Sequence, residues 1–437
     1  MTSQPNRLAE GGLIDRSKTV RFSFDGQRLT GHHGDTLASA LLANGIRLVG
    51  RSFKYHRPRG ILTTGSEEPS ALVELRTAAR REPNTRATTI ELYEGLIAAS
   101  QNRFPSLKFD LLAVNQIFSP IFGAGFYYKT FMWPASFWEK LYEPMIRRAA
   151  GLGRGAGAPD PDHYEKTNAF CDVLVIGAGP SGLAAALAAA RSGARVILCE
   201  EDFRLGGRLL AERYEIDGAP ALDWVKAAEA ELESLPDCRI LRRTTVQGVY
   251  DGGTYAAIER VNDHVKVAPA HEPRQRLWKI VAKRAVLAAG AIERPIVFGD
   301  NDRPGVMLAG AVRAYVNRYG VAPGKRAVIF ADNDDAMRTA IDLADAGVAV
   351  AAVIDARKVP SKTAREAAEK AGAGYLTGAV IERVRGRLGV KGVDLRDAEG
   401  KIHSFDCDLV AVSGGWSPTV NLTTHLNGKP VWSEALS

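Results

Sequence analysis

Cysteine is scarce in this sequence and poorly spaced for chemistry. The four present, Cys171, Cys199, Cys238 and Cys407, form no C-x-x-C pair, and none precedes residue 171. That spacing excludes a disulfide framework, a cysteine zinc site and a redox-active dithiol, and it fits a reducing cytoplasm. The eight histidines are scattered apart from His32-His33, so no metal site is expected. No nucleophile–histidine–acid pattern stands out, and no catalytic residue is assigned. The opening MTSQPNRLAE has no apolar core, so no secretory signal is expected there. One run, Leu111–Tyr128, lacks charge over eighteen residues, but Asn115, Gln116, Pro120, Gly123 and Gly125 interrupt it and argue against a membrane span. Residues 409–437 contain no aspartate.

What is present is 46% hydrophobic and 24% charged, the balance of a globular protein, and 437 residues suffice for two or three domains. The net charge is +7, and +6 of it falls in residues 1–60. No nucleic-acid-binding pattern accompanies that charge, so a phosphate-bearing ligand, a partner subunit or a solvated basic face remains.

The stretch 171–201, CDVLVIGAGPSGLAAALAAARSGARVILCEE, organises the chain. Cys171–Ile176 is a short apolar run suited to a buried parallel strand. Gly177, Gly179 and Gly182 follow in G-x-G-x-x-G spacing, serving a tight turn, an approach for pyrophosphate and close helix packing. Ser181 opens a helix that Gly193 ends. A second strand, Arg195–Cys199, runs into Glu200 and Glu201, where an acid can accept from a ribose. Gly206-Gly207, before Arg208, would let the chain pass close to a bound nucleotide. Short β-type runs at Thr244–Tyr250, Tyr255–Arg260, His264–Ala268 and Leu277–Ala282 suggest an inserted meander. The strand from Ala285 to Gly290 then returns the chain beneath the cofactor. A second strand–turn–helix–strand occupies 325–357, but its turn reads Ala331-x-Asn333-x-x-Ala336, and Asp332, Asp334 and Asp335 would repel a pyrophosphate unless neutralised.

Upstream, TVRFSFDGQRLTG (19–31) is a hairpin around Asp25-Gly26, and Asp35 is placed to cap a helix over Thr36–Asn44. This is how a ferredoxin-like β-grasp domain begins, yet its loop has Thr63, Thr64 and Ser66 and no cysteine for an iron–sulfur cluster. In that loop Arg47, Arg51, Lys54, Arg57 and Arg59 interleave with Phe53 and Tyr55. Twelve aromatics lie between Phe104 and Tyr142, including Phe126-Tyr127-Tyr128 and Trp133, as in a segment covered by another domain or subunit. Phe137–Arg148 reads as helix, and 151–162 as a Gly/Pro linker. The expected fold is α/β, with two Rossmann-like units of the two-dinucleotide flavoprotein type preceded by a small cluster-less β-grasp α+β domain. The expected boundaries are 1–84, 85–167 and 168–437, with 325–357 a degenerate second Rossmann unit.

Four stretches, GRSFKYHRPRGI, GAGFYYKTFMWPASFWEKLYEP with IRRAAGLG, GAGPSG and VSGGWSPTVNL, together resemble the alpha subunit of heterotetrameric sarcosine oxidase. The resemblance covers essentially the whole chain and only the amino-terminal part of that subunit. It implies oxidative demethylation of sarcosine to glycine with hydrogen peroxide formation, in a complex with beta, gamma and delta subunits. NAD would sit in the first Rossmann site of this chain as a non-redox ligand. FMN would be shared with the beta subunit, which also carries FAD. Tetrahydrofolate would belong only to a carboxy-terminal domain that this sequence does not include. The resemblance places NAD contacts at Gly177, Gly179, Ser181, Gly182, Glu200, Glu201 and Arg208, and also at Val246, Ser417, Leu422 and Thr424. Gly207 and Gly290 join them from the glycine turns. The competing readings are a self-contained FAD/NAD(P)H oxidoreductase, a subunit of an opine oxidase or hydrogen cyanide synthase-like complex, and a non-catalytic assembly protein.

Overall fold

A computed structural model of the chain describes residues 4–120, 122–123, 125 and 131–434. Phe126, Tyr127 and Tyr128 lie outside the described residues. The chain forms two compact units, Met1–Pro161 with Arg294–Gly415, and Asp162–Glu293 with Trp416–Ser437. The two Rossmann-like halves therefore fall in different units, where one domain from 168 to 437 was expected.

The first unit begins with the hairpin Asp15–Phe24 and Gln27–His33. Asp25 and Gly26 both take positive φ, +48° and +79°, the two-residue turn that matches strand twist. The helix Leu37–Ala43 is buried along its whole length. Its cap is Thr36, not Asp35: Thr36 and Ser39 exchange side-chain and backbone hydrogen bonds in a capping box. The Asp35 carboxylate instead binds Arg7 at 2.6 Å and accepts from the Ser39 hydroxyl at 2.6 Å.

The five-stranded sheet runs Gln27–His33, Asp15–Phe24, Leu96–Ser100, Leu72–Leu75, Glu82–Arg86. A boundary at residue 84 would cut the last strand and discard Leu96–Ser100, which pairs parallel to the first strand through Phe22 and Leu96. The grasp domain thus extends to about residue 100, because its inner strand comes last in sequence.

In the same unit, five parallel strands form a second sheet in the order Val306–Leu308, Leu409–Ser413, Arg326–Ala331, Ala349–Asp355, Gly374–Thr377. One hydrophobic cluster joins Phe22, Leu37 and Leu41 of the grasp domain to Tyr315, Val316 and Ile329 around this sheet. Beyond residue 100, Leu111–Gln116 and Trp138–Tyr142 are short irregular helical turns, and Glu143–Ala149 is a helix. Phe104, Phe109, Ile117 and Trp133 are exposed in this chain. Among the described residues, no helix is long and apolar enough to cross a membrane.

The second unit is a six-stranded sheet in the order Cys238–Leu241, Val196–Cys199, Tyr164–Ile176, Gln275–Leu287, Thr254–Glu259, Thr244–Tyr250. The first four strands are parallel and the last two antiparallel. The expected run His264–Ala268 is not a strand; residues 261–273 form bends and turns between the outer strands. Leu183, Ala186 and Leu187 of the helix Pro180–Arg191 bury one face against the sheet.

Candidate dinucleotide-binding site

The strand Tyr164–Ile176 ends where the glycine turn begins, at the carboxyl edge that ligands use in parallel sheets. Each glycine has a separate cause. Gly177 has φ +97°, and a Cβ there would lie 2.4 Å from the Ala288 carbonyl oxygen. At Gly182 a Cβ would lie 1.8 Å from the Gly177 oxygen. Both are required by the protein's own packing. Gly179 differs: its φ is an ordinary −68°, and a Cβ would meet nothing within 4 Å. The backbone beside Gly179 is open, as close approach of a pyrophosphate would require. Gly179 is also the N-cap of Pro180–Arg191 and offers no side chain to the helix. Pro180 has no amide hydrogen, so the positive helix end is presented by the amides of Ser181 and Gly182, and Ser181 is exposed.

Glu200 follows the adjacent strand and is 7% exposed. Its carboxylate accepts from the Ala178 amide at 2.7 Å and from the Asp202 amide at 2.9 Å. It therefore ties the second strand to the glycine turn, a role that spacing alone does not reveal. Each oxygen keeps a further lone pair for a ribose hydroxyl. Burial pushes its pKa up to about 7, although the two amide hydrogen bonds oppose the shift. Glu201 is exposed, and its carbonyl accepts from Arg260 at 2.5 Å.

The Gly206-Gly207 turn has φ +118° and +52°, and a Cβ on Gly207 would lie 2.9 Å from the Gly179 Cα. The glycine pair is thus pressed against the Gly179 backbone. Arg208 bonds Glu212 and lies 4.4 Å over the Trp416 ring. Trp416 begins the strand Trp416–Pro418, in which Ser417 pairs with Ile292. The Gly290 carbonyl accepts from the Thr419 amide at 3.0 Å. Val246, on the outer strand, and Leu422 share one hydrophobic cluster with Ile176, while Thr424 is exposed. All these candidates lie in the second unit. Ala178, Ala288, Glu212 and Trp416 were missed, because an amide, a carbonyl and a distant ring leave no motif.

The degenerate turn of the first unit is built differently. Asn333 caps the helix Asp334–Asp345 by accepting from Ala336 and donating to Ser413. Asp334 pairs with Arg357 at 2.7 Å, and Asp335 lies 3.4 Å from Arg313. Their charges are neutralised within the chain, and carboxylates already take the positive end of the helix.

In the grasp domain, Glu68 is 0% exposed. Its carboxylate accepts from the amides of Leu62, Thr63, Ser70 and Ala71 at 2.7–2.9 Å. Burial raises its pKa against those four hydrogen bonds. Among the described residues, no group of three or more His, Cys, Asp or Glu could hold a metal ion.

Comparison with known proteins agrees with these two architectures. A family described as a 2Fe-2S iron-sulfur cluster binding domain matches residues 17–103, and one described as FAD dependent oxidoreductase matches 172–285. Among solved structures, L-proline dehydrogenase from P. horikoshii superposes with a TM-score of 0.62 at 22% identity, over 98% of this chain and 65% of that one. This likeness shows a shared fold. Sarcosine oxidase subunit alpha of Corynebacterium sp. (strain P-1) is 39% identical over 99% of this chain and 41% of its own length. The same subunit of Rhizobium meliloti (strain 1021) is 54% identical over 98% of this chain and 43% of its own. The chain spans about two-fifths of the length of these relatives and, over that span, belongs to the sarcosine oxidase subunit alpha family.

Proposed function

We propose that this chain is the NAD-binding part of the alpha subunit of a multi-subunit flavin amine oxidase, a cytoplasmic enzyme that converts sarcosine to glycine. The observation that carries the reading is the 54% identity to the Rhizobium meliloti alpha subunit along 98% of the chain. In the reaction, sarcosine, O2 and water give glycine, formaldehyde and hydrogen peroxide. Amine oxidation lies in a beta subunit, with FAD there and FMN at its border with this chain; these flavins supply the two-electron chemistry. Gamma and delta subunits complete the complex.

In this chain Gly179, Ser181 and Gly182 cradle the NAD pyrophosphate, and Glu200 accepts from the ribose. Arg208, Val246, Ser417 and Leu422 line the remaining contacts. NAD is favoured over FAD because residues 409–437 offer no aspartate to a ribitol chain. A non-redox role is favoured because the second turn carries paired carboxylates where a second nucleotide would bring phosphates. The grasp domain is read as cluster-less: no cysteine precedes residue 171, and the Glu68 carboxylate already gathers the loop amides. The test is co-expression with candidate partner subunits. Sarcosine-dependent peroxide should appear with the complex and be absent with this chain alone. Peroxide formation or NAD(P)H oxidation by the isolated chain would overturn the proposal.

A further inference from the structure

The basic loop GRSFKYHRPRG plays no part in the dinucleotide site, yet it walls a cavity of about 360 Å³ in the first unit. That volume is within the range of small-molecule sites, roughly 300–1,000 Å³. The strands Gly50–Arg51 and Pro58–Arg59 form one side of the wall.

Three guanidiniums line the cavity. Arg51 is 8% exposed and donates to the carbonyls of His56 and Leu107, while its carboxylate neighbour Asp110, at 3.9 Å, is already bound by His56 at 2.7 Å. Arg59 shares Asp302 with Arg57. Arg303 bonds Asp300 at 3.0 Å and the Arg387 carbonyl at 2.7 Å, but its Nε is buried without an acceptor. Arg51, Arg57, Arg59 and Arg303 thus face Asp110, Asp300 and Asp302, which leaves an excess cation. Burial lowers the proton affinity of Arg51 and Arg59, and the opposing pull of Asp110 on the one and Asp302 on the other does not cancel it. A buried N–H without a partner is destabilising, and an acceptor in the cavity would satisfy it. The remaining wall combines apolar Phe53, Leu62, Leu308 and Val412 with polar Gln101, Asn102 and Asn301, and the Asp302 carboxylate on it is held by Arg57 and Arg59.

We propose that this cavity is a binding site for an organic anion, in which a phosphate or carboxylate group meets Arg303 and Arg59 and an apolar body lies against Phe53 and Val412. Guanidinium forks suit either anion. The probe is phenyl phosphate, titrated by calorimetry into the full chain, with inorganic phosphate and benzyl alcohol as half-probes. Phenyl phosphate should bind one to one, inorganic phosphate at least about tenfold more weakly, and benzyl alcohol not measurably. Arg303→Gln should weaken phenyl phosphate binding about tenfold or more. Ser70→Phe, which fills the cavity, should abolish it. Both variants should keep the parent's circular dichroism and its NAD affinity, so failure here is distinct from failure at the glycine turn. Absence of phenyl phosphate binding, equal binding of inorganic phosphate, or parent-like binding by both variants would overturn the assignment.

Discussion

The Glu200 carboxylate accepts a hydrogen bond from the Ala178 amide at 2.7 Å, so the acid at the end of one strand holds the glycine turn at the end of the next. Burial of that carboxylate, which outweighs the amide hydrogen bonds, makes nucleotide affinity and stability respond to pH in opposite senses. The folded-state pKa of Glu200 is about 7, above the ordinary 4.5, so the folded protein holds an extra proton between those values. The stabilisation from this group is fully present below pH 4.5 and is lost as pH rises through 7, by about 3 kcal/mol in all. The ionised carboxylate is the better ribose acceptor, so NAD affinity should fall about tenfold per unit below pH 7 and level off above it. Calorimetry from pH 5.5 to 8.5 measures this, and Glu200→Gln should flatten the profile while weakening binding.

The glycines of the turn should separate by phenotype. Gly177→Ala places a Cβ 2.4 Å from the Ala288 oxygen at φ +97°, and should cost about 2–4 kcal/mol in urea denaturation. Gly179→Ala meets nothing within 4 Å and should leave stability within about 0.5 kcal/mol of the parent. It fills the cradle, however, and should weaken NAD by more than about tenfold.

Glu68→Ala should strip four amides, those of Thr63 and Ala71 buried, of their acceptor at once. The expected loss exceeds about 3 kcal/mol, with faster hydrogen exchange at Leu62, Thr63, Ser70 and Ala71. Parent-like stability and exchange would contradict the role assigned to this carboxylate.

Arg208→Ala should remove both the Trp416 stacking at 4.4 Å and the ion pair to Glu212, whose side chain is 2% exposed. A loss of about 1–3 kcal/mol is expected, together with weaker NAD binding. Arg208→Lys should restore the charge without the plane, and so recover only part of both.

Local chemistry made much of this legible in the sequence. Asp25-Gly26, the glycine spacing of 177–182 and Gly193 each state a backbone requirement within a few residues. The rest depends on long-range pairing. Leu96 enters the grasp sheet beside Phe22, after two strands that follow it in space. Arg208 finds Trp416 across half the chain. Glu68 reads as one more acid in GSEEPS, because its partners are amides, which carry no side-chain signature. The acidic second turn was visible as a problem, but its solution, Arg313 and Arg357, lay in other elements.

On the proposed reading, the glycine turn of the second unit holds NAD while flavin chemistry belongs to a partner. The direct measurement is to purify the chain, denature it and identify the released nucleotide by chromatography and mass spectrometry. NAD near one equivalent and no flavin colour in the native chain are expected; stoichiometric FAD released from the chain alone would contradict NAD binding at the glycine turn.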